Sequence, residues 1–257
     1  MSKEFHEKAL NYHRGARPGK IYVSSHKNID TNQGLSLAYT PGVAAPVREI
    51  LKNPNTINEY TIKGNLVAVI TDGSAVLGLG NTGPLAAKPV MEGKAVLFKR
   101  FADIDVVDIE LDTQDVDEIV NTIKNIAPTF GGINLEDISA PRCFEIEQRL
   151  IDELDIPVFH DDQHGTAIIV AAGLLNVLEI QERTIDTIQV VCAGACSAGI
   201  ATLNLLTELG VRIENILLVD RNGVVSQNKK KKVNKYKAAF AVDTKKETLN
   251  DAMNGAD

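Results

Sequence analysis

The sequence predicts an α/β fold, and three observations carry that prediction. Short runs of β-branched and apolar residues alternate with longer segments of helical period along the 257 residues. A glycine-bearing strand–turn–helix pattern occupies residues 190–206. Two acidic pairs, Glu136-Asp137 and Asp161-Asp162, each follow a strand-like run. The length fits one large domain or two ordinary ones.

Taken in order, residues 3–13 form a helical arm closed by Gly15 and Pro18. Residues 21–24 (Ile-Tyr-Val-Ser) are a short strand candidate, and residues 36–43 are a loop punctuated by Pro41-Gly42. A helix over 44–52 ends at Asn53-Pro54, and a buried strand over 66–70 leads into the turn Asp72-Gly73. Residues 85–99 are helical, with Pro84 in the first turn and Pro89 bending the helix. A strand over 104–111, an amphipathic helix over 115–126, a strand over 131–135 and a helix over 143–154 follow. Residues 157–159 read as a short buried strand that stops at Asp161-Asp162. Gly165 and Thr166 open a helix that is apolar on almost every side, so burial is expected. Beyond it come a strand over 187–192, a helix over 198–209, a strand over 216–220 and a turn over 221–226. The lysine run at 229–232 reads as a solvated loop, and a last helix covers 245–253.

Composition excludes several function classes. The net charge of −7 opposes a nucleic-acid binder dominated by phosphate contacts. The charged N-terminal residues show no signal peptide. The apolar run at 166–178 is too short to span a bilayer. Cys143, Cys192 and Cys196 fit buried thiols in a reducing cytoplasm better than disulfides or zinc ligands.

Two glycine signatures compete. Gly78-Leu-Gly-Asn-Thr-Gly83 matches G-x-G-x-x-G in letters, but it comes too late after the strand that ends near residue 70. Pro84 and Pro89 also fit a pocket-lining helix better than a dinucleotide helix. Gly194-Ala195-Cys196-Ser197-Ala198-Gly199 breaks the letters yet fits the context, with a strand running in and a helix running out. Asp220 ends the next strand, where a carboxylate would reach a ribose hydroxyl, and Arg221 beside it could accommodate a 2′-phosphate. The pattern suits a Rossmann-type dinucleotide site, or an ordinary βαβ turn. Cys196 stands where a glycine normally lets the backbone approach a pyrophosphate.

Carboxylates converging at strand ends make an oxygen-rich site suited to Mg²⁺ or Mn²⁺, although a single Asp-Asp pair also suits a helix N-cap. His160 and His164 flank the second pair at a spacing that favours core or capping roles over metal ligation. Lys94 precedes an apolar run. Burial would lower its pKa and a nearby carboxylate would raise it, which makes it a candidate base or a snorkelling surface lysine. Tyr39 alone is ambiguous.

Together these residues resemble the malic enzymes of the smaller bacterial type. The resemblance rests on Ser36-Leu-Ala-Tyr-Thr-Pro-Gly-Val-Ala, on Gly78-Leu-Gly-Asn-Thr-Gly-Pro-Leu-Ala with Pro89-Val-Met-Glu-Gly-Lys94, on Asn134-Leu-Glu-Asp-Ile, and on Phe159-His-Asp-Asp-Gln-His-Gly-Thr-Ala. The blocks occur in family order across most of the chain. The resemblance implies a catalytic α/β domain over residues 1–164 and an incomplete NAD(P)-binding domain over 165–257. It implies oxidative decarboxylation of L-malate to pyruvate and CO₂, with NAD⁺ favoured by Asp220 and NADP⁺ possible. Glu136, Asp137 and Asp162 would hold Mg²⁺ or Mn²⁺. Lys94 would be the base, Asp161 its partner and Tyr39 the proton donor to the enol product. A cytoplasmic homodimer is implied, with no nucleic-acid or membrane partner. Cys196 departs from the family pattern, and the chain ends at Asp257 where family members continue. A fragment, a natural truncation and a catalytically silent relative that binds metal, malate or a partner subunit all remain open. An unrelated dinucleotide-dependent dehydrogenase would leave both acidic pairs unexplained.

Overall fold

The computed structural model describes residues 2–228 and 233–257, so the lysine run at 229–232 lies outside the described residues. An N-terminal arm contains α1 (Lys3–Arg14), α2 (Asn32–Ala38), α3 (Ala44–Lys52) and the single turn α4 (Ile57–Tyr60). None of these helices has a fully buried residue. Two expectations change here. Residues 21–24 form no strand and pair with none among the described residues: Tyr22 and Val23 stand exposed, and a segment without a partner has no ladder to complete. Residues 36–38 are helical rather than loop, because the Thr31 hydroxyl accepts from the Gly34 N–H and caps α2 three residues upstream.

The first sheet holds β1 (Leu66–Thr71), β2 (Asp105–Glu110), β3 (Gly132–Leu135) and β4 (Val158–His160) in the order β2-β1-β3-β4, all parallel. Helices α5 (Pro84–Ala102), α6 (Val116–Ile126) and α7 (Arg142–Glu153) make the crossovers. The amphipathic faces of α6 and α7 bury Ile119, Ile123, Ile146 and Leu150 against Ile70 and Leu135. The strand order reverses at β1, with β2 added on one side and β3 on the other, and the crevice outside the carboxyl ends of β1 and β3 is where α/β folds place ligands.

Helix α8 (Asp161–Ile180) links this sheet to a second one. It begins four residues before the expected start, because Asp161 and Asp162 favour the positive end of a helix and His160 turns in from β4. Nor is it buried all round. Ala167, Ala171 and Leu178 face inward, whereas Ile169 and Ile180 are 74% and 81% exposed. Its 20 residues are long and apolar enough to cross a membrane by length and composition, which the shorter run at 166–178 was not. Its first turn is nevertheless engaged in ion pairs and its inner face packs on the next helix, α9 (Ser197–Glu208).

The second sheet places β5 (Val190–Ala193), β6 (Ile216–Asp220) and β7 (Gly223–Val224) side by side, with β7 antiparallel. The strand expected at 187–192 therefore starts at Val190; the Thr187 N–H and hydroxyl both bond the Thr184 carbonyl and form a turn instead. The turn expected over 221–226 is a tight hairpin. After α10 (Lys235–Ala238), the last helix, α11 (Leu249–Met253), starts later than expected, because Thr248 and Asp251 form a reciprocal capping box. Ile188, Leu203, Leu206, Ile216, Leu218 and Phe240 form the second core. Phe144 on α7 packs against both cores and contacts the Tyr236 ring at 4.3 Å, so the two halves share a seam.

Candidate active site

The carboxyl ends of β1, β3 and β4 meet at one end of the first sheet. There α5 delivers Lys94, whose Nζ lies 2.5 Å from Asp161 Oδ2 and 3.1 Å from Glu136 Oε1. Pro89 sits inside α5 without ending it. The chain leaves β3 through Glu136 and turns at Asp137, which takes a left-handed φ of 54°. The Asp137 N–H donates to Asp162 Oδ2 at 2.8 Å and its carbonyl accepts from the Ala75 N–H at 2.8 Å. Gly165 has no Cβ because one would lie 2.6 Å from Asp161 Oδ1, so glycine lets that carboxylate fold against the helix.

Glu136, Asp137 and Asp162 each offer an oxygen, and those oxygens lie within 4.8 Å of one another. Burial pushes Glu136 up to about 7 and Asp137 up to about 6, with the neighbouring Asp162 charge adding to both. Asp137 Oδ2 is buried with no hydrogen-bond partner. Three hard oxygen donors crowded together, one of them unsatisfied, are the donor set a divalent cation completes. Lys94 runs the other way from a desolvated base: burial lowers its pKa, but Asp161 and Glu136 together outweigh burial and raise it. In this arrangement the side chain is an ammonium.

The glycine turn lies across the cleft. Gly194 has a φ of 124°, and a Cβ on Gly199 would lie 2.2 Å from the Gly194 carbonyl oxygen. Both positions require glycine. Cys196 does not, since its φ of −88° suits any residue; it is exposed rather than buried and lines the cavity beside this turn. Cys143 and Cys192 are inert thiols that burial raises to about 12 and about 11. The other glycine run, Gly78 to Gly83, folds back onto the Asp72-Gly73 turn: the Thr82 and Gly83 N–H groups donate to the Gly73 carbonyl at 2.9 and 3.2 Å.

A cavity of about 830 Å³ runs from the glycine turn to Asp137 and Asp162 of the acidic cluster, while Lys94, Glu136 and Asp161 do not line it. Gly194 to Ala198, Asp220, Arg221 and Lys237 line one part, and Asp137, Ser139 and Asp162 line another. Tyr39 is elsewhere. It caps α2, stands 71% exposed and does not line this cavity.

Sequence reasoning missed several groups that hold the site in shape. Asp72, buried after β1, accepts from Arg142 Nη2 at 2.8 Å and from the Ser74 hydroxyl, and Ser74 Oγ in turn accepts from the Ser139 N–H. Lys237 Nζ meets Asp220 Oδ2 at 2.8 Å, so the carboxylate expected to repel a 2′-phosphate is already paired. Glu147 accepts from Gln163 and pairs with His164. Only the Asp72-Gly73 turn carried a local signal; the other partners are far apart in sequence.

The malic enzyme N-terminal domain family matches residues 18–151, and the malic enzyme NAD-binding domain family matches residues 163–256. The chain is 54% identical over 257 residues to an NADP-dependent malic enzyme of Halomonas elongata and 52% identical over 256 residues to an NAD-dependent malic enzyme of Rhizobium meliloti. Those matches take in the whole chain but 61% and 33% of the relatives, so the chain spans between a third and about three fifths of their length. Among solved structures, the malic enzyme of Pyrococcus horikoshii superposes with a TM-score of 0.92 at 46% identity, over 98% of this chain and 61% of that one. The NAD-dependent malic enzyme of Thermotoga maritima gives 0.89 at 43% identity, over 100% and 67%.

Proposed function

The chain belongs to the malic enzyme family, and on that premise we propose that it carries the site for oxidative decarboxylation of L-malate to pyruvate and CO₂. The observation that supports this most is the shared cavity, which joins the dinucleotide-type turn to the acidic cluster. Glu136, Asp137 and Asp162 would hold Mg²⁺ or Mn²⁺. When bound, the cation supplies Lewis-acid polarisation of a substrate oxygen and the nicotinamide supplies a hydride acceptor.

The chain's own residues do the proton work. Lys94 Nζ takes the proton from the C2 hydroxyl of malate as C2 is oxidised. Because Lys94 is held as an ammonium, it must first release a proton, and Asp161 Oδ2 is the acceptor within reach. Tyr39 gives a proton to C3 of the enol left after CO₂ departs. Its exposed place on the arm means that it serves this role only when the arm is packed against another surface. A second copy of the chain is the occupant proposed, as a homodimer would cover the apolar residues of the arm and the outer face of α8. The two sheets then correspond to a catalytic unit over residues 1–164 and a dinucleotide unit over 165–257. The three free cysteines fit a cytoplasmic setting.

Cofactor choice follows from charge. With Asp220 paired to Lys237 and Arg221 at the same cavity wall, nothing in the turn bars a 2′-phosphate, and NADP⁺ is accepted alongside NAD⁺. The test is L-malate-dependent reduction of NAD⁺ and NADP⁺ with Mn²⁺, with chelator, and with Lys94→Ala. Metal-dependent reduction with pyruvate release, lowered about 10²- to 10⁴-fold in the variant, supports the reading. Turnover that survives chelation or Lys94→Ala overturns it. Loss of turnover with retained Mn²⁺ binding identifies a metal-binding relative instead.

A further inference from the structure

The first turn of α8 has no capping side chain, since His160 makes no cap hydrogen bond there. Its position is set by side chains pointing in three directions. Asp161 pairs with Lys94, and Asp162 accepts from the Asp137 N–H. The third tie is to α7, where Glu147 stands 6% exposed and has both carboxylate oxygens engaged. Glu147 Oε2 accepts from Gln163 Nε2 at 2.9 Å, and Oε1 lies 2.8 Å from His164 Nε2. Gln163 is itself buried, and the His164 ring leans on Phe159 with centroids 5.4 Å apart.

A carboxylate is seldom buried this deeply without a structural return, because its desolvation costs several kcal/mol unless hydrogen bonds replace water. Here both replacements come from the turn that carries Asp161 and Asp162. We infer that Glu147 is a positioning residue: by gripping Gln163 and His164 from α7, it fixes the rotation of the α8 first turn and thereby the aim of the Asp161 and Asp162 carboxylates. This rests on the reading of Asp162 as a metal ligand, yet the geometry also has a consequence in the metal-free protein. The Asp137 N–H keeps its 2.8 Å bond only while Asp162 is held in place.

The test compares wild type, Glu147→Gln and Asp162→Asn by Mn²⁺ titration, followed by electron paramagnetic resonance, and by amide hydrogen exchange at Asp137 in metal-free protein. Thermal melts establish that the variants are folded. Glu147→Gln keeps the volume, but its single amide oxygen can accept from only one of Gln163 and His164, and the charge is removed from the grip. Groups that orient ligands typically change metal affinity 10- to 100-fold, so Mn²⁺ affinity should fall about tenfold and Asp137 amide protection should drop about as much. The inference is overturned if Glu147→Gln leaves both within twofold of wild type. If wild type and Asp162→Asn bind Mn²⁺ equally weakly, the metal reading fails; the Asp137 exchange rate then decides the positioning role alone. Should Glu147→Gln disturb folding, Gln163→Leu, which deletes one of the two grips and leaves Glu147 its His164 contact, is measured in the same two ways.

Discussion

Glu136 illustrates a site group that works against the fold that holds it. Its folded pKa of about 7 lies above the ordinary 4.5, so the folded protein binds that proton more tightly than the unfolded chain. Metal-free stability is therefore undiminished by this group below about pH 4.5, declines as pH rises to about 7, and stays reduced above, by on the order of 3 kcal/mol. Glu136→Gln should stabilise the metal-free protein by up to that amount at pH 8 and hardly at all at pH 4. Urea denaturation at the two pH values checks this, and an equal effect at both contradicts it. A second residue-scale prediction concerns Lys237. Truncating Lys237→Ala frees the Asp220 charge and should shift the ratio of NADP⁺ to NAD⁺ affinity by about tenfold towards NAD⁺, measured by dinucleotide fluorescence titration. The acids and Lys94 were legible in the sequence because each follows or precedes a recognisable apolar run. Asp220 was legible as a carboxylate at a strand tip, but its partner 17 residues on was not, since no local pattern announces an ion pair between residues so far apart in sequence.

Among the elements, period and punctuation read well where burial is one-sided. The α6 and α7 helices and the β1, β3 and β6 strands lie within a residue or two of their sequence expectation. Reading failed where tertiary partners decide. Residues 21–24 have strand composition and no neighbour to pair with, and α8 has buried-helix composition with one face left bare. The turn before α9 was readable in context despite Cys196, because what that turn demands is glycine at 194 and 199. Gly199→Ala places a methyl 2.2 Å from the Gly194 carbonyl and should cost about 1–3 kcal/mol, read as a lower urea midpoint. Cys196→Gly should leave that midpoint nearly unchanged, since the backbone there is ordinary.

At the scale of the molecule, two cores meet along Phe144 and α8, and a large apolar area remains outside both. Leu37, Tyr39 and Leu51 on the arm and Ile168, Ile169 and Ile180 on α8 are all exposed. The second copy of the chain proposed above would cover such exposed apolar residues. Ile169→Glu, which touches neither core, should lower the association state in sedimentation velocity and leave the thermal melt of the dissociated protein within a few degrees. An unchanged sedimentation coefficient would place the interface elsewhere.

The unbroken run of α8 has a mechanical meaning. Twenty residues at 1.5 Å each make a rod of about 30 Å, with the acid turn at one tip and the α9 contact further along. A tilt of about 5° at the far end, small enough for side chains to follow, swings the tip by about 2.6 Å. That exceeds the tolerance of the contact between Asp161 and Lys94. The Asp161–Lys94 contact is thus sensitive to the tilt of the whole helix, and the ties of its first turn to Asp137 and Glu147 are what resist that tilt.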